Sequence, residues 1–435
     1  MGTSISNDGS SRKKVLVSAC AFMGLSHILY LKQYIKGVLF ALIEVIMLCA
    51  SPKFADMIKD MIQISRWYTG IRPATFRLVD GFIAIFIILI FAVAYVVSVR
   101  SAISGYEDFC LEGRTKSNKE SMQGAVGRAF PLLGLAPALF LVIFFVIIPL
   151  VFSVTVGFTN WSSPDHLTPG ARINWVGLQN YFDMFGGNAE WTSAFGRVAI
   201  WTIAWGLTAT ASCYFGGMVL ATFLYEAKLK ITPVFRAVLI LPYAVPSILS
   251  IKVWQNLLNG STGTINRTLR ELNIITENIN WLTDTKLVKV VCILINMWVG
   301  IPYFMMLITG QMTAISGDTF EAATIDGANK FQTFRYITLP LVLYQTIPLI
   351  IMSFTHNINN FGAIYFLTAG GPNIKDTTTT GAGATDLLVT WIYKLTMNEL
   401  KYCRASVLAM LVFIVLAPFA IWNFKNTKSY KEGEL

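Results

Sequence analysis

The sequence predicts an all-α membrane protein with about eight transmembrane helices. Of its 435 residues only 13% are charged and 54% are hydrophobic, and the mean hydropathy is +0.58. A soluble domain carries roughly 25% charged residues, so this chain is written for an apolar solvent. Long apolar runs at 81–99, 130–157 and 404–424 approach or exceed the ~20 residues that carry a helix across a bilayer. The net charge of +10 has no basic stripe with interleaved aromatics behind it. It points to the positive-inside rule rather than to nucleic acid.

Taken in order, segment 15–31 is apolar but short, and it contains Ser18, Ser26 and His27. It reads as an interfacial or re-entrant helix. A ninth span is the alternative; a signal-peptide core is disfavoured because another apolar run follows without a convincing cleavage site. The predicted spans are 34–51, 81–99, 130–157, 197–224, 237–258, 286–313, 341–366 and 404–424. In the fourth, Ala204, Thr208, Ser212 and Gly216 form a ridge of small side chains that lets helices approach closely. In the fifth, Pro242 and Pro246 remove backbone donors and should kink or break the helix, which a bilayer tolerates only beside protein or a cavity.

An even number of spans puts both termini on one side. Arg12, Lys13 and Lys14 at the start and Lys425, Lys428 and Lys431 at the end mark that side as cytoplasmic. Loops 100–129 (Arg100, Arg114, Lys116, Lys119, Arg128) and 225–236 (Lys228, Lys230, Arg236) agree. Segment 51–80, with Lys53, Lys59, Arg66, Arg72 and Arg77, falls outside and disagrees. Cys20, Cys49, Cys110, Cys213, Cys292 and Cys403 are scattered without a CxxC pair, so neither a disulfide framework nor a metal site is expected.

Between the sixth and seventh spans lies the polar stretch Glu321-Ala-Ala-Thr-Ile-Asp-Gly-Ala-Asn, followed by Ile337-Thr-Leu-Pro340. Asp318 and Glu321 fit a capping pattern that starts a helix at Thr319. Phe320, Ala323, Thr324, Gly327, Ala328 and Phe331 then share one face. A glycine inside a helix costs about 1 kcal/mol relative to alanine, which suggests that another backbone passes close to Gly327. An amphipathic helix lying on the membrane is the competing reading, but this face has no Leu or Trp.

Glu321, Ala322, Ala323, Gly327, Ile337, Leu339 and Pro340 stand in register with the signature of a known family. The stretch resembles the coupling loop of the membrane subunits of binding-protein-dependent, ATP-driven importers. That resemblance implies a six-helix permease core over 130–424, with an external loop at 158–196 and the coupling loop at 315–340. Accessory helices would occupy 1–129, and 425–435 would be a cytoplasmic tail. It further implies that Glu321, Ala322, Ala323, Asp326, Gly327 and Ala328 dock into a cleft on an ATPase subunit, Glu321 pairing with a basic residue there. No GxxxxGK[ST] phosphate loop is present. The chain is therefore expected to be no enzyme and to bind no cofactor itself, ATP and Mg residing on the partner.

The seventh span carries Ser353, His356, Asn357 and Asn360 at i, i+3, i+4, i+7, one polar face that should look inward. Neutral amides and hydroxyls suit sugar hydroxyls, and Trp298, Tyr303 and Phe361 offer rings for stacking. Asn296 to Tyr303, Ser353 to Phe361 and Leu367 to Pro372 resemble segments of the maltose/maltodextrin permeases. That resemblance implies a sugar site drawing on Val299, Gly300 and Tyr303 with Ser353, His356, Asn357 and Asn360. His356 departs from the aromatic ring expected there.

The implied partners are a second homologous permease, two ATPase subunits, an extracellular sugar-binding protein and membrane lipid, in a bacterial plasma membrane. The cargo would be maltodextrin or a related oligosaccharide, galacto-oligosaccharides included. The external loop 158–196 and the segment 367–403 would meet the binding protein. An ion-coupled secondary transporter would need intramembrane carboxylates, and Glu44 is the only prominent one. An intramembrane enzyme would need a motif such as HExxH or GxSxG, and none is present; His27, His166 and His356 have no evident constellation.

Overall fold

The computed structural model describes residues 9–64, 74–164, 173–226 and 231–425. Arg66, Arg72, His166, Lys228, Lys230, Lys428 and Lys431 therefore lie outside the described residues. Among those described, regular structure is helical, apart from one isolated antiparallel bridge between Thr159 and Trp175. Seven helices are long and apolar enough to cross a membrane, and a bent helix pair makes an eighth. The chain divides into two compact units, one of residues 1–160 and 165–175, the other of 161–164 and 176–435.

In the first unit, segment 15–31 is two short helices, α1 (Gly9–Ala21) and α2 (Leu25–Leu29), packed against the long helices α3 (Tyr34–Ile62) and α4 (Ala74–Glu112). The break falls at Gly24, whose φ of +81° favours glycine. A Cβ there would lie 2.1 Å from the Gly37 carbonyl oxygen, so the two backbones touch. The break frees backbone groups, and side chains from the long helices take them up. The Glu44 carboxylate accepts the Met23 N–H, and the Tyr95 hydroxyl donates to the Cys20 carbonyl. His27 Nε2 lies 3.0 Å from Ser101 Oγ. Glu44 thus serves a broken backbone, which removes the main support for an ion-coupled carboxylate.

The predicted loop at 100–129 is mostly helix. α4 runs to Glu112, and α5 (Asn118–Val142) starts at once with a capping box between Ser117 and Glu120. α5 continues through a widened turn, Ile143–Ile147, into α6 (Ile148–Val156). Pro149 explains the widening: it cannot donate to the Phe145 carbonyl, and its ring would clash there. Likewise α3 passes through Pro52 into the predicted loop and ends at Ile62, whose carbonyl accepts the Trp175 indole N–H at 3.1 Å. The end of α3 and the chain after α6 therefore share one end of this unit, as the span count requires of 51–80 and 158–196.

The second unit opens with α7 (Gln179–Phe182) and an irregular turn at 183–187, then α8 (Ala189–Glu226). There follow α9 (Thr232–Ala244), α10 (Ser247–Leu257), α11 (Thr264–Glu271), α12 (Leu287–Thr313), α13 (Gly317–Ile325) and α14 (Lys330–Thr333). α14 passes through a second widened turn, Phe334–Thr338, into α15 (Leu339–Ile358), and Pro340 stands where Pro149 stands in the first case. α16 (Phe361–Thr368), α17 (Thr377–Thr380), α18 (Leu388–Met397) and α19 (Tyr402–Lys425) complete it.

α8 is the axis of this unit, packed along α12 and α15. The ridge predicted on it is only partly the contact surface, since Thr208 is exposed while Gly216 meets Ile301. The closest approach lies beside it. A Cβ at Gly217 would sit 2.5 Å from the Phe304 Cβ and 2.8 Å from the Met305 nitrogen, and one at Gly206 would strike Phe354 and Ile358. Where lipid is as apolar as the side chains, such close packing holds helices together.

Segment 367–403, expected to meet the binding protein, is a packed cap that includes α17 and α18. The fully buried Asp386 carboxylate accepts from Lys394 Nζ at 2.7 Å, the Gly383 N–H at 2.7 Å and Thr390 Oγ1 at 2.8 Å. Gly370 must be glycine beside it, because a Cβ would fall 1.9 Å from Asp386 Oδ1. Trp391, fully buried, donates its indole N–H to the Thr380 carbonyl.

Gly217→Leu is expected to cost about 1–3 kcal/mol by overpacking and to lower the melting temperature of the detergent-solubilised chain. Gly310→Ala, with nothing within 4 Å of the added Cβ, should leave it unchanged or slightly higher. Equal melting temperatures for both variants would contradict the packing described.

Candidate functional site

Two broken helices and one unbroken one enclose a cavity of about 520 Å³ in the second unit. The first break separates α9 from α10, whose axes differ by 88°. Val245 is extended (φ −82°, ψ 138°) because Pro246 follows it, and Pro246 cannot donate to continue α9. The second break separates α15 from α16 at Asn359–Asn360. α12 supplies the remaining wall. Tyr243, Ser247, Asn296, Val299, His356 and Asn360 carry the side chains of most chemical interest. Among the described residues no Asp, Glu, Lys or Arg lines it.

The seven residues expected to form the sugar site divide. Val299, His356 and Asn360 line the cavity. Asn357 does not: it is buried against α8, its Nδ2 donating to Thr210 Oγ1 at 2.9 Å while its backbone carbonyl accepts the Trp205 indole N–H at 3.1 Å. Gly300 faces α8 too, where a Cβ would lie 2.7 Å from Cys213 Sγ. Tyr303 stands behind the wall with its ring 5.9 Å from that of Tyr243. Ser353 is half-buried and does not line the cavity.

The single polar face is therefore partly a helix stop. Asn360 Oδ1 accepts the Ala363 N–H at 3.1 Å and caps α16, leaving its amide N–H groups as the donors it can offer. Of the three rings, Trp298 meets Trp254, Phe361 stacks on Tyr365 at 4.7 Å, and Tyr303 packs on Tyr243, which lines the cavity. Tyr243, Ser247 and Asn296 were missed. The signal for the first two was the proline pair, since a broken span tends to line a cavity. Asn296, whose Nδ2 lies 3.5 Å from Cys213 Sγ, had no periodic signal of its own.

The predicted coupling helix exists as α13, with corrected ends. Its N-cap is Ser316, and Asp318 lies in the first turn rather than starting a helix at Thr319. Gly327 is not inside the helix. It follows the C-cap with φ +77°, its N–H bonding the Thr324 carbonyl at 3.1 Å, while the Ala328 N–H bonds that of Ala323 at 2.9 Å. This pair is a Schellman stop. The Cβ of an added side chain would meet nothing within 4 Å, so conformation and not close approach demands glycine. Asn329 then caps α14 in a box with Gln332. Glu321, Ala322, Asp326 and Gly327 are exposed, Ala323 is buried, and Ala328 is half-buried. The Phe320 ring leans on Tyr225 at 6.3 Å.

Comparison with known proteins fits this architecture. Residues 213–423 match the family described as "Binding-protein-dependent transport system inner membrane component". Over 412 residues the chain is 36% identical to the galactooligosaccharides transport system permease protein GanP of Bacillus subtilis (strain 168), covering 93% of this chain and 95% of that one. The chain belongs to this family.

The permease is also 30% identical over 368 residues to the maltodextrin transport system permease protein MdxF of the same organism, covering 83% of each. It is 42% identical over 215 residues to the maltose/maltodextrin transport system permease protein MalF of Salmonella typhimurium, covering 49% of this chain and 41% of that one. The fold is similar to that of a bacterial ABC transporter involved in the import of the acidic polysaccharide alginate. There the TM-score is 0.55 at 20% identity, over 71% of this chain and all of that one. The permease is thus a multi-pass membrane subunit of a binding-protein-dependent importer, a transporter component rather than an enzyme.

Gly327→Val is expected to lower transport several-fold by straining the stop between α13 and α14, since a left-handed residue costs roughly 1–2 kcal/mol when it is not glycine or asparagine. Gly327→Asn should transport nearly normally. Equal loss in both variants, measured as initial uptake at matched membrane abundance, would assign Gly327 to a contact instead.

Proposed function

We propose that this permease carries a neutral oligosaccharide, of the maltodextrin type or a close relative, through the cavity between the two helix breaks. The observation that carries this reading is the chemistry of that cavity. A space ringed by amides, a hydroxyl, an imidazole and a tyrosine, with no carboxylate, ammonium or guanidinium among the described residues, offers hydrogen bonds to sugar hydroxyls. His356 and Asn360 are its proposed polar contacts, with Tyr243 and Asn296 beside them. Val299 shapes the wall, and Tyr303 backs Tyr243. Gly300 and Asn357 are proposed to support the site by packing α12 and α15 against α8, with Ser353 also on α15.

A galacto-oligosaccharide cargo is the second reading, favoured by 36% identity to GanP across nearly the whole chain. Either sugar presents the same groups, and linkage geometry would decide between them.

In the proposed cycle both termini are cytoplasmic, and loop 158–196 with cap 367–403 meets the extracellular binding protein. A second, homologous permease completes the path. Two ATPase subunits hold ATP and Mg and receive α13, with Glu321 reaching a basic residue. The sugar must bind the outward- and inward-facing states with different free energies for hydrolysis to drive it.

Initial uptake of labelled maltotriose and of a galactosyl trisaccharide, in cells whose only such permease is this one, tests cargo and site together. Asn360→Leu or His356→Leu should weaken uptake about tenfold, the loss of one or two hydrogen bonds to hydroxyls. Asn357→Leu should instead lower the amount of folded protein. Unaltered uptake in the first two would overturn the site. Glu321→Lys should leave the chain in the membrane but sever uptake from ATP hydrolysis by the purified complex; normal coupling would remove Glu321 from that role.

A further inference from the structure

The first unit holds a second polar cleft, of about 700 Å³, where the start of α3, the end of α4 and the start of α5 meet. Its two sides differ. On one, the charges answer each other: Lys116 Nζ lies 2.9 Å from Asp108, and Arg114 lies 3.3 Å from Glu120. On the other stand Lys36 and the exposed Arg100, and Arg100 has no carboxylate paired to it among the described residues. Gln33, also in the wall, is 3% exposed, and its side-chain Oε1 meets no donor. A buried amide oxygen left without a partner is costly, and a donor entering through the cleft would remove that cost.

The lining also carries Phe40 and Val97, and Val97 is 52% exposed. Val93 and Val96 continue an exposed apolar strip along α4, and Val38 and Leu39 do so on α3. The polar cleft therefore opens beside surfaces made for acyl chains.

We infer that this cleft binds the headgroup of an anionic glycerophospholipid, its phosphodiester on Arg100 and its hydroxyls toward Gln33. The chemistry asked for is one anion together with an O–H donor, and a phosphoglycerol group supplies both. A guanidinium fits a phosphate oxygen pair better than any other side chain. A basic residue at the end of a span already lies where anionic lipid concentrates. Free glycerol phosphate offers the same polar groups, but the apolar strip beside the cleft favours the lipid.

The test is native mass spectrometry of the full chain released from detergent, titrated with phosphatidylglycerol, phosphatidylcholine, phosphatidylmethanol or glycerol 3-phosphate. Phosphatidylglycerol should bind about tenfold tighter than phosphatidylcholine, the worth of one charge-assisted contact. Arg100→Gln should erase that preference, and Arg100→Lys should retain part of it. Gln33→Leu should erase the preference for phosphatidylglycerol over phosphatidylmethanol, which has the same charge and no hydroxyl. Helix content and melting in phosphatidylcholine, unchanged in the variants, would exclude misfolding. Equal binding of phosphatidylglycerol and phosphatidylcholine, or preferences untouched by both variants, would overturn the proposal. Glycerol 3-phosphate binding as tightly as the lipid would overturn the lipid as its source.

Discussion

Within a bilayer every backbone N–H and C=O must find a partner in the protein, because hydrocarbon offers none. This constraint shapes the molecule wherever a helix stops. At the break between α1 and α2 the partners are Glu44 and Tyr95. At the break between α15 and α16 they are Trp205, on the Asn357 carbonyl, and Asn360, on the Ala363 N–H. At the far end of α16, Gln255 Nε2 donates to the Leu367 carbonyl at 2.8 Å. Polar side chains inside the apolar segments are thus first the substitutes for missing backbone bonds. Only what remains after that duty is open to a ligand.

The same economy separates charge from cargo. The strong ion pairs of the second unit gather in and around the cap, as Asp386 with Lys394 and Arg197 with Asp376 at 3.1 Å. Arg404 pairs with Asp183 beside it. Burial alone would raise the Asp183 carboxyl, but hydrogen bonds from Arg404 and Gln179 and the guanidinium charge outweigh it and hold the group below its usual range. The cavity between the helix breaks receives none of these charges.

Much of this was legible in the sequence, for physical reasons that also mark where it stopped. Apolar length fixes spans, so the eight segments were found, although helices such as α4 and α5 run well past their apolar parts. Two prolines four apart announced the 88° bend. Periodicity, however, assumes that a helix continues. Of Ser353, His356, Asn357 and Asn360, the last lies beyond the stop at Asn359, and ahead of it Asn357 turns to α8 while His356 lines the cavity. Gly327 misled in the same way: read as helix interior it implied a close neighbour, whereas its φ of +77° makes it punctuation. The ridge on α8 was displaced because contact depends on where α12 and α15 lie, which no single helix records.

The stop and restart at 326–329 has a mechanical corollary. The Schellman pair closes the end of α13 and the Asn329–Gln332 box closes the start of α14, so each helix is complete without the other. No hydrogen bond of either ladder crosses the junction. α13 can therefore tilt as a rigid peg about a pivot of a few residues while both ladders stay whole. Beyond the pivot, α14 and α15 form one rod whose widened turn ahead of Pro340 is a built-in compliance, and its far end is the wall that carries His356.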